Sequence, residues 1–318
     1  MAIDTITKKK VKTSNNREQI LGMLFASIPI IGFVLFGLFP LIISLVMSFS
    51  NVPSYRVEEM EVFSLGNFFN NYITIFQDEK FWLSIGNTLI IAISLPVSMI
   101  IGLTLAVLLN QKIRGSKIFR TIFFIPFVCS VVAIALMWRT MLAPGYGIIN
   151  QFLAIFGVSP ISWFMETGPF LVAMVLMTTW CGIGFSVILY SAALTSIPPS
   201  LYEAAKMDGA NGIQQFFRIT FPLLSPTTFY LLVIGLIGSL QEFSRIQAIT
   251  AALPAGGAGP NDAGLTIVFY LFNKFNEVGG LGQAAAVSWV LTIVIVILTA
   301  INFFVSKKWV YTNDKDSV

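Results

Sequence analysis

The sequence predicts an all-α fold, a polytopic membrane bundle of six transmembrane helices, and three observations predict it. Charged residues make up 11% of the 318-residue chain and hydrophobic ones 56%, whereas a soluble domain carries roughly a quarter charged residues. The chain's mean hydropathy is +0.83. Six windows lack any charge over about the ~20 residues that a helix needs to cross a bilayer. Lysine and arginine gather in alternate loops, as they do in short cytoplasmic loops of membrane proteins.

The spans fall at residues 21–49, 82–109, 121–138, 170–194, 226–240 with both flanks, and 284–305. Arg120 and Arg139 bracket the third closely and make it the shortest. Gln241, Glu242 and Arg245 interrupt the outer end of the fifth. A basic stretch precedes the first, as in a secretory signal, but its apolar run is about twice the usual secretory core and no A-x-A cleavage site follows. It reads as a retained anchor.

Orientation follows from the basic residues. With the amino terminus inside, the cytoplasmic segments hold Lys8, Lys9, Lys10, Lys12, Arg17, Lys112, Arg114, Lys117, Arg120, Lys206, Arg218, Lys307, Lys308 and Lys315. The opposite side or the span edges hold Arg56, Lys80, Arg139, Arg245 and Lys274. Both termini are therefore expected in the cytoplasm.

External loops are expected at 51–80 and 253–282, the second rich in glycine and proline at Pro254, Gly256, Gly257, Gly259 and Pro260. The external segment 144–168 carries Ile148, Ile149, Phe152, Leu153 and Phe156 at helical spacing, which predicts a short interfacial helix. The domain plan is a basic cytoplasmic tail over 1–19, a transmembrane domain over 20–306 with its core from about residue 82, and a cytoplasmic tail over 307–318.

Histidine is absent and the cysteines are Cys129 and Cys181, both in apolar runs. Zinc sites and Cys/His nucleophile pairs lack material, and both cysteines read as small buried hydrophobes. The net charge of +4 is spread among apolar spans rather than grouped on one face, which argues against nucleic acid as a partner.

The most informative stretch is 195–225, TSIPPSLYEAAKMDGANGIQQFFRITFPLLS, expected in the cytoplasm. Pro198 and Pro199 stop the preceding helix, and Ser200 and Glu203 have the spacing of a capping box that starts another. Ala204 and Ala205 favour helix, Gly209 and Gly212 allow a sharp turn, and Ile213, Phe216 and Phe217 make an apolar stripe. Two short helices with a bend between them are expected, with a face open to a protein partner.

This segment resembles the EAA loop of permease subunits in bacterial ATP-binding-cassette (ABC) importers: E-A-A, three residues, G, nine residues, I-x-L-P. Glu203, Ala204, Ala205, Gly209, Ile219 and Pro222 stand at those positions, and Phe221 replaces the usual leucine. The resemblance implies the type I importer permease fold and a bacterial cytoplasmic membrane. It also implies that 195–225 forms coupling helices that dock on a separate ATPase through Glu203, Ala204, Ala205 and Gly209, with Glu203 pairing to a basic residue and Gly209 making the bend. A purely local role is the competing reading of each. No phosphate-cradling G-x-x-x-x-G-K-[ST] occurs, so hydrolysis, with its ATP and Mg, is expected on that ATPase. No catalytic, cofactor-binding or metal residue is expected in this chain.

A wider resemblance, from about residue 82 to 311, runs to the carbohydrate branch of these permeases. Its words are NTL at Asn87 to Leu89, PGYGIIN at Pro144 to Asn150, GGAGP at Gly256 to Pro260 and GQAAAVS at Gly282 to Ser288. The glycine-proline word departs from the tighter G-G-P of many relatives. The amino-terminal extra span and the SKKWVY ending resemble the first permease type. The implied partners are a second, different permease, two ATPase domains, an extracellular solute-binding protein and a carbohydrate.

Sugars are held by hydrogen bonds and by stacking on aromatic faces, so polar and aromatic residues within spans are the substrate-pathway candidates. These are Asn87, Trp180, Tyr190, Gln241, Glu242, Arg245, Ser288 and Trp289. Packing or interfacial anchoring competes for the aromatic ones, and Gln241 and Arg245 are expected on one helix face. Three other functions remain open: an ABC importer for an amino acid, phosphate or polyamine, an ion-driven transporter, and a membrane enzyme. An ion-driven carrier needs intramembrane carboxylates, and Glu242 is the only acidic residue near a span interior.

Overall fold

Proline placement sets two π-helical turns in the helices. The computed structural model describes residues 16–52, 68–111, 115–251, 253 and 257–311. Lys8, Lys9, Lys10, Lys12, Arg56, Lys112, Arg114, Pro254, Gly256 and Lys315 lie outside the described residues. All described regular elements are helical.

The first span runs from α1 (Asn16–Phe33) through a π-helical turn at Val34–Leu38 into α2 (Phe39–Ser48). A second π turn occupies Phe216–Thr220. Each is followed, two residues past its end, by a proline, Pro40 or Pro222. Proline supplies no amide hydrogen to the carbonyl four residues back and crowds it. The preceding amide instead reaches five back, Phe39 to Val34 and Phe221 to Phe216, the bulge that such a conflict produces.

Span two is α4 (Glu79–Ala92) and α5 (Ser94–Asn110), preceded by α3 (Asn70–Gln77). Span four is α9 (Thr167–Thr195) and span six is α16 (Leu281–Ser306). Span five begins as α13 (Ser225–Leu240) and, after a break, continues as α14 (Ser244–Thr250). By length and composition, five helices among the described residues are able to cross a membrane, or six if one bent pair counts as a span.

That bent pair corrects the expected third span. α6 (Ser116–Val128) and α7 (Val131–Met141) meet at 102° across extended backbone at Cys129 and Ser130. The halves pack on different partners, α6 against α9 and α7 against α14. A methyl group at Gly184 would stand 2.4 Å from the Phe123 carbonyl, so α6 is held close to α9. One straight helix would forfeit one of the two contacts.

Two apolar clusters form the core. The larger joins α4, α7, α9, α14 and α16, and the smaller joins α5, α9 and α13 through Met99, Ala106, Tyr190, Leu194, Leu224 and Leu231. The spine is α5 against α9, where a methyl at Gly102 would lie 2.4 Å from Ser186 Cβ. Small residues permit such approach in membrane helices.

The loops expected at 51–80 and 253–282 are not structureless. The first contains α3, and the second contains α15 (Ile267–Asn276), capped where the Thr266 hydroxyl accepts from the Phe269 amide. Ile267, Phe269 and Tyr270 of α15 are buried. Asn87 donates to the carbonyls of Asp262 and Leu265 (2.9 and 3.2 Å), and the Ile267 amide donates to Thr88. Beside them, Tyr270 donates to Asp78 Oδ2 at 2.7 Å, and the Lys274 ammonium stands 3.5 Å from that carboxylate. Burial alone would raise Asp78, but the Tyr270 hydroxyl, the Lys80 amide and Lys274 together hold it below its ordinary value. Burial and the same hydrogen bond push Tyr270 up.

The expected interfacial helix is α8 (Ile148–Ile155). Ile149 and Leu153 pack on the core while Ile148, Phe152 and Ile155 are exposed. Asn150, buried, donates to the carbonyls of Ala143 and Ile161 and accepts from the Ile161 amide and the Trp163 indole.

Candidate functional site

At the end of the bundle where α9 stops, the chain makes a two-limbed projection. Pro198 precedes α10 (Pro199–Met207), with Pro199 as its first residue, a position where proline's missing amide is harmless. The helix thus starts two residues earlier than Ser200 and Glu203 suggest. Their capping box is not made, and no side chain caps α10. A full capping box instead sits at the start of α11 (Gly212–Gln215), where Asn211 and Gln214 exchange 2.9 Å bonds.

The bend is a Schellman turn. Ala210 donates to the Ala205 carbonyl at 2.9 Å and Gly209 to Lys206 at 3.1 Å, with Gly209 at φ +77. Side chains rarely adopt that region, which is why glycine stands there. Gly212 is the first residue of α11 and makes no positive-φ turn. After the π turn, α12 (Phe221–Leu223) leads into α13. Glu203, Ala204 and Gly209 are exposed and Ala205 is half-buried. Met207 is 88% exposed, Ile213 72% and Phe217 63%, whereas Phe216 turns partly inward. Inside the bend lies a cavity of ≈ 370 Å³, bordered by Ala205, Asp208, Gly209 and Arg218. Exposed apolar side chains beside the carboxylates of Glu203 and Asp208 suit a partner that brings a complementary cleft and a cation.

A second cavity, of ≈ 280 Å³, lies within the bundle between α5, α6, α9 and α13. Ser94, Ser98, Thr178, Ser186, Ser239, Glu242 and Arg245 supply its polar lining, and Phe127 and Phe185 are among its apolar walls. Glu242 is 8% exposed and forms an ion pair with Arg245, whose Nε is buried without an acceptor among the described residues. The pair sits where span five breaks, Phe243 being non-helical. Because of that break Gln241 and Arg245 do not share a helix face, contrary to expectation, and Gln241 is exposed.

Among the eight pathway candidates, Glu242 and Arg245 border this cavity and the other six do not. Asn87 is committed to the 262–265 backbone. Tyr190, buried, donates to Thr228 at 3.2 Å and ties α9 to α13. Trp180 meets Trp138 edge to face at 6.0 Å. Ser288 donates to the Ala285 carbonyl, and Trp289 is half-buried. Sequence reasoning passed over the cavity's hydroxyls. Ser94 and Ser98, four apart on one helix face, carried a signal, but hydroxyls in apolar helices bond their own backbone, as Ser98 does to Leu95.

A family model described as "Binding-protein-dependent transport system inner membrane component" matches residues 98–310. The chain is 32% identical over 310 residues to the probable ABC transporter permease protein YesP of Bacillus subtilis, covering 96% of this chain and 97% of that one. It is 34% identical to the sn-glycerol-3-phosphate transport system permease protein UgpA of Yersinia pestis, covering 80% and 86%. It is 32% identical to the lactose transport system permease protein LacF of Rhizobium radiobacter, covering 90% and 94%. Among solved structures, a bacterial ABC transporter that imports the acidic polysaccharide alginate superposes with TM-score 0.78 and 27% identity, over 92% of this chain and 96% of that one. The chain belongs to the family of binding-protein-dependent transport system inner membrane components, the membrane permeases of ABC importers.

Proposed function

We propose that this chain is the first of two different permease subunits of a carbohydrate importer in a bacterial cytoplasmic membrane, with both termini inside, and that 195–225 is the handle on which a separate ATPase docks. The observation that carries this is the exposed, glycine-bent projection bearing Glu203, Ala204 and Ala205. Names of relatives support the solute class: lactose for LacF, arabinooligosaccharides for AraP of Halalkalibacterium halodurans, and alginate for the solved transporter. A related structure is a complex with an alginate pentasaccharide-bound periplasmic protein, which supports a solute-binding protein as donor.

In this reading, ATP closes two ATPase domains, their motion displaces α10, and the spans alternate between inward and outward access. Glu242 and Arg245 serve the solute inside the bundle. Together they carry no net charge, and the carboxylate can accept from, and the Arg245 Nε donate to, the hydroxyls of a neutral sugar. The test is ATP-dependent uptake by the assembled complex in vesicles, with neutral saccharides as solutes. Uptake of these is expected, and its absence alongside uptake of another solute class contradicts the carbohydrate reading. Likeness to the glycerol-phosphate permease favours a second reading, a small phosphorylated solute, which the same assay resolves by competition.

A further inference from the structure

Most of α10 projects away from the bundle. Of Pro199–Met207, Tyr202 and Ala205 are half-buried and every other residue is exposed. The Tyr202 ring packs on the smaller core cluster, which includes Leu194, Ile197 and Leu224. Its hydroxyl stands 2.9 Å from Thr220 Oγ1. Thr220 is buried at the last position of the π turn, five residues before α13. Among the described residues this is the side-chain hydrogen bond that joins α10 to the second limb.

Two features make such a bond matter. No side chain caps the start of α10 after Pro198, and its end is closed by the backbone bonds of the Gly209 turn, so both ends of α10 are held by backbone alone. A polar cavity of ≈ 240 Å³, bordered by Asn110, Gln111, Tyr202, Gln215 and Thr220, separates the limbs from the end of α5. A push on α10 reaches α13 most directly when a side-chain contact makes the two limbs move together. α13, by contrast, carries Ser239 to the intramembrane cavity and is followed there by Glu242.

We propose that the Tyr202–Thr220 hydrogen bond makes α10 and the second limb one rigid lever, with Tyr202 and Thr220 acting as positioning residues that carry ATPase motion into α13. The inference rests on the docking reading above. Tyr202→Phe keeps the ring packing and Thr220→Val keeps the shape, so each removes mainly the bond.

The experiment uses the complete reconstituted importer. It measures solute transported per ATP hydrolysed, complex yield, and photo-cross-linking from a reactive residue placed at Met207 to the ATPase. Each single variant is expected to lower the transport-to-ATP ratio about two- to tenfold, the range that one neutral hydrogen bond corresponds to. The double variant is expected to be no worse than the poorer single one, the signature of one shared contact. Thr220→Ser should restore the ratio, with cross-linking and complex yield unchanged throughout. A wild-type ratio in the single variants, additive losses, or reduced complex yield at an unchanged ratio overturns the lever while leaving docking intact. No cross-link from Met207 in the otherwise wild-type complex overturns the docking reading, and the lever with it.

Discussion

The amide of Ala210 donates to the carbonyl of Ala205 at 2.9 Å, and this bond closes only because Gly209 between them takes a positive φ. The projection's shape therefore depends on a residue where an added Cβ would meet nothing within 4 Å, so backbone conformation alone requires glycine. An L residue in this conformation costs about 1–2 kcal/mol. Gly209→Val should open the bend and sharply reduce uptake while the protein still inserts and accumulates. Asn, which tolerates the left-handed region, should be milder. Uptake normalised to membrane content checks both.

Glu203 is exposed, so its removal should leave stability within about 0.5 kcal/mol. Glu203→Ala should nevertheless lower both ATPase association and uptake, because the proposed docking presents this carboxylate to the ATPase. Co-purification of the ATPase with the variant measures this.

The Glu242–Arg245 pair predicts an asymmetry. Breaking a fully buried pair from one side costs about 3–5 kcal/mol, and less here because the Arg245 side chain is 30% exposed. Glu242→Gln or Arg245→Met alone should lower thermal stability more than a Glu242→Leu, Arg245→Met double variant does. All three should impair transport. Thermal unfolding in detergent beside vesicle uptake separates the two effects.

Asp78 predicts an acid dependence at the end of the bundle opposite the projection. Its folded pKa lies below the ordinary 3.8, so its contribution is fully present above that value and is lost as pH falls through the lowered one. Asp78→Asn should loosen α15 near neutral pH. The difference from wild type should shrink below about pH 4 as the native carboxylate protonates. Hydrogen exchange of the α15 amides reports it.

Much of this fold was legible because long uncharged runs in this chain do become helices: 170–194 and 284–305 lie within α9 and α16. The break of the third span was not, since Pro126 and Ser130 read as ordinary span residues and the 102° bend comes from the separate partners of α6 and α7. α15 was hidden for another reason. Its short apolar run, from Ile267 to Phe272, lies amid glycines, and burial against α4 and α16 decides its state more than its own propensity. At the projection, spacing placed the bend at Gly209 correctly, but the two prolines moved the start of α10 ahead of Ser200, so the Ser200–Glu203 capping box is not made, and the box at Asn211 belongs to α11. The substrate candidates fared unevenly because polarity in a span marks a suspect without saying which way it points. Asn87 faces a loop carbonyl, while Glu242 faces the cavity.

The central claim is that the α10 face is held by an ATPase on the cytoplasmic side. A photoreactive residue at Ala204, which is exposed on α10, tests it in whole cells carrying the assembled complex. The account predicts a cross-link to the nucleotide-hydrolysing subunit and no labelling of an Ala204→Cys thiol by membrane-impermeant maleimide added outside. Labelling from outside, or cross-links that omit that subunit, would contradict it.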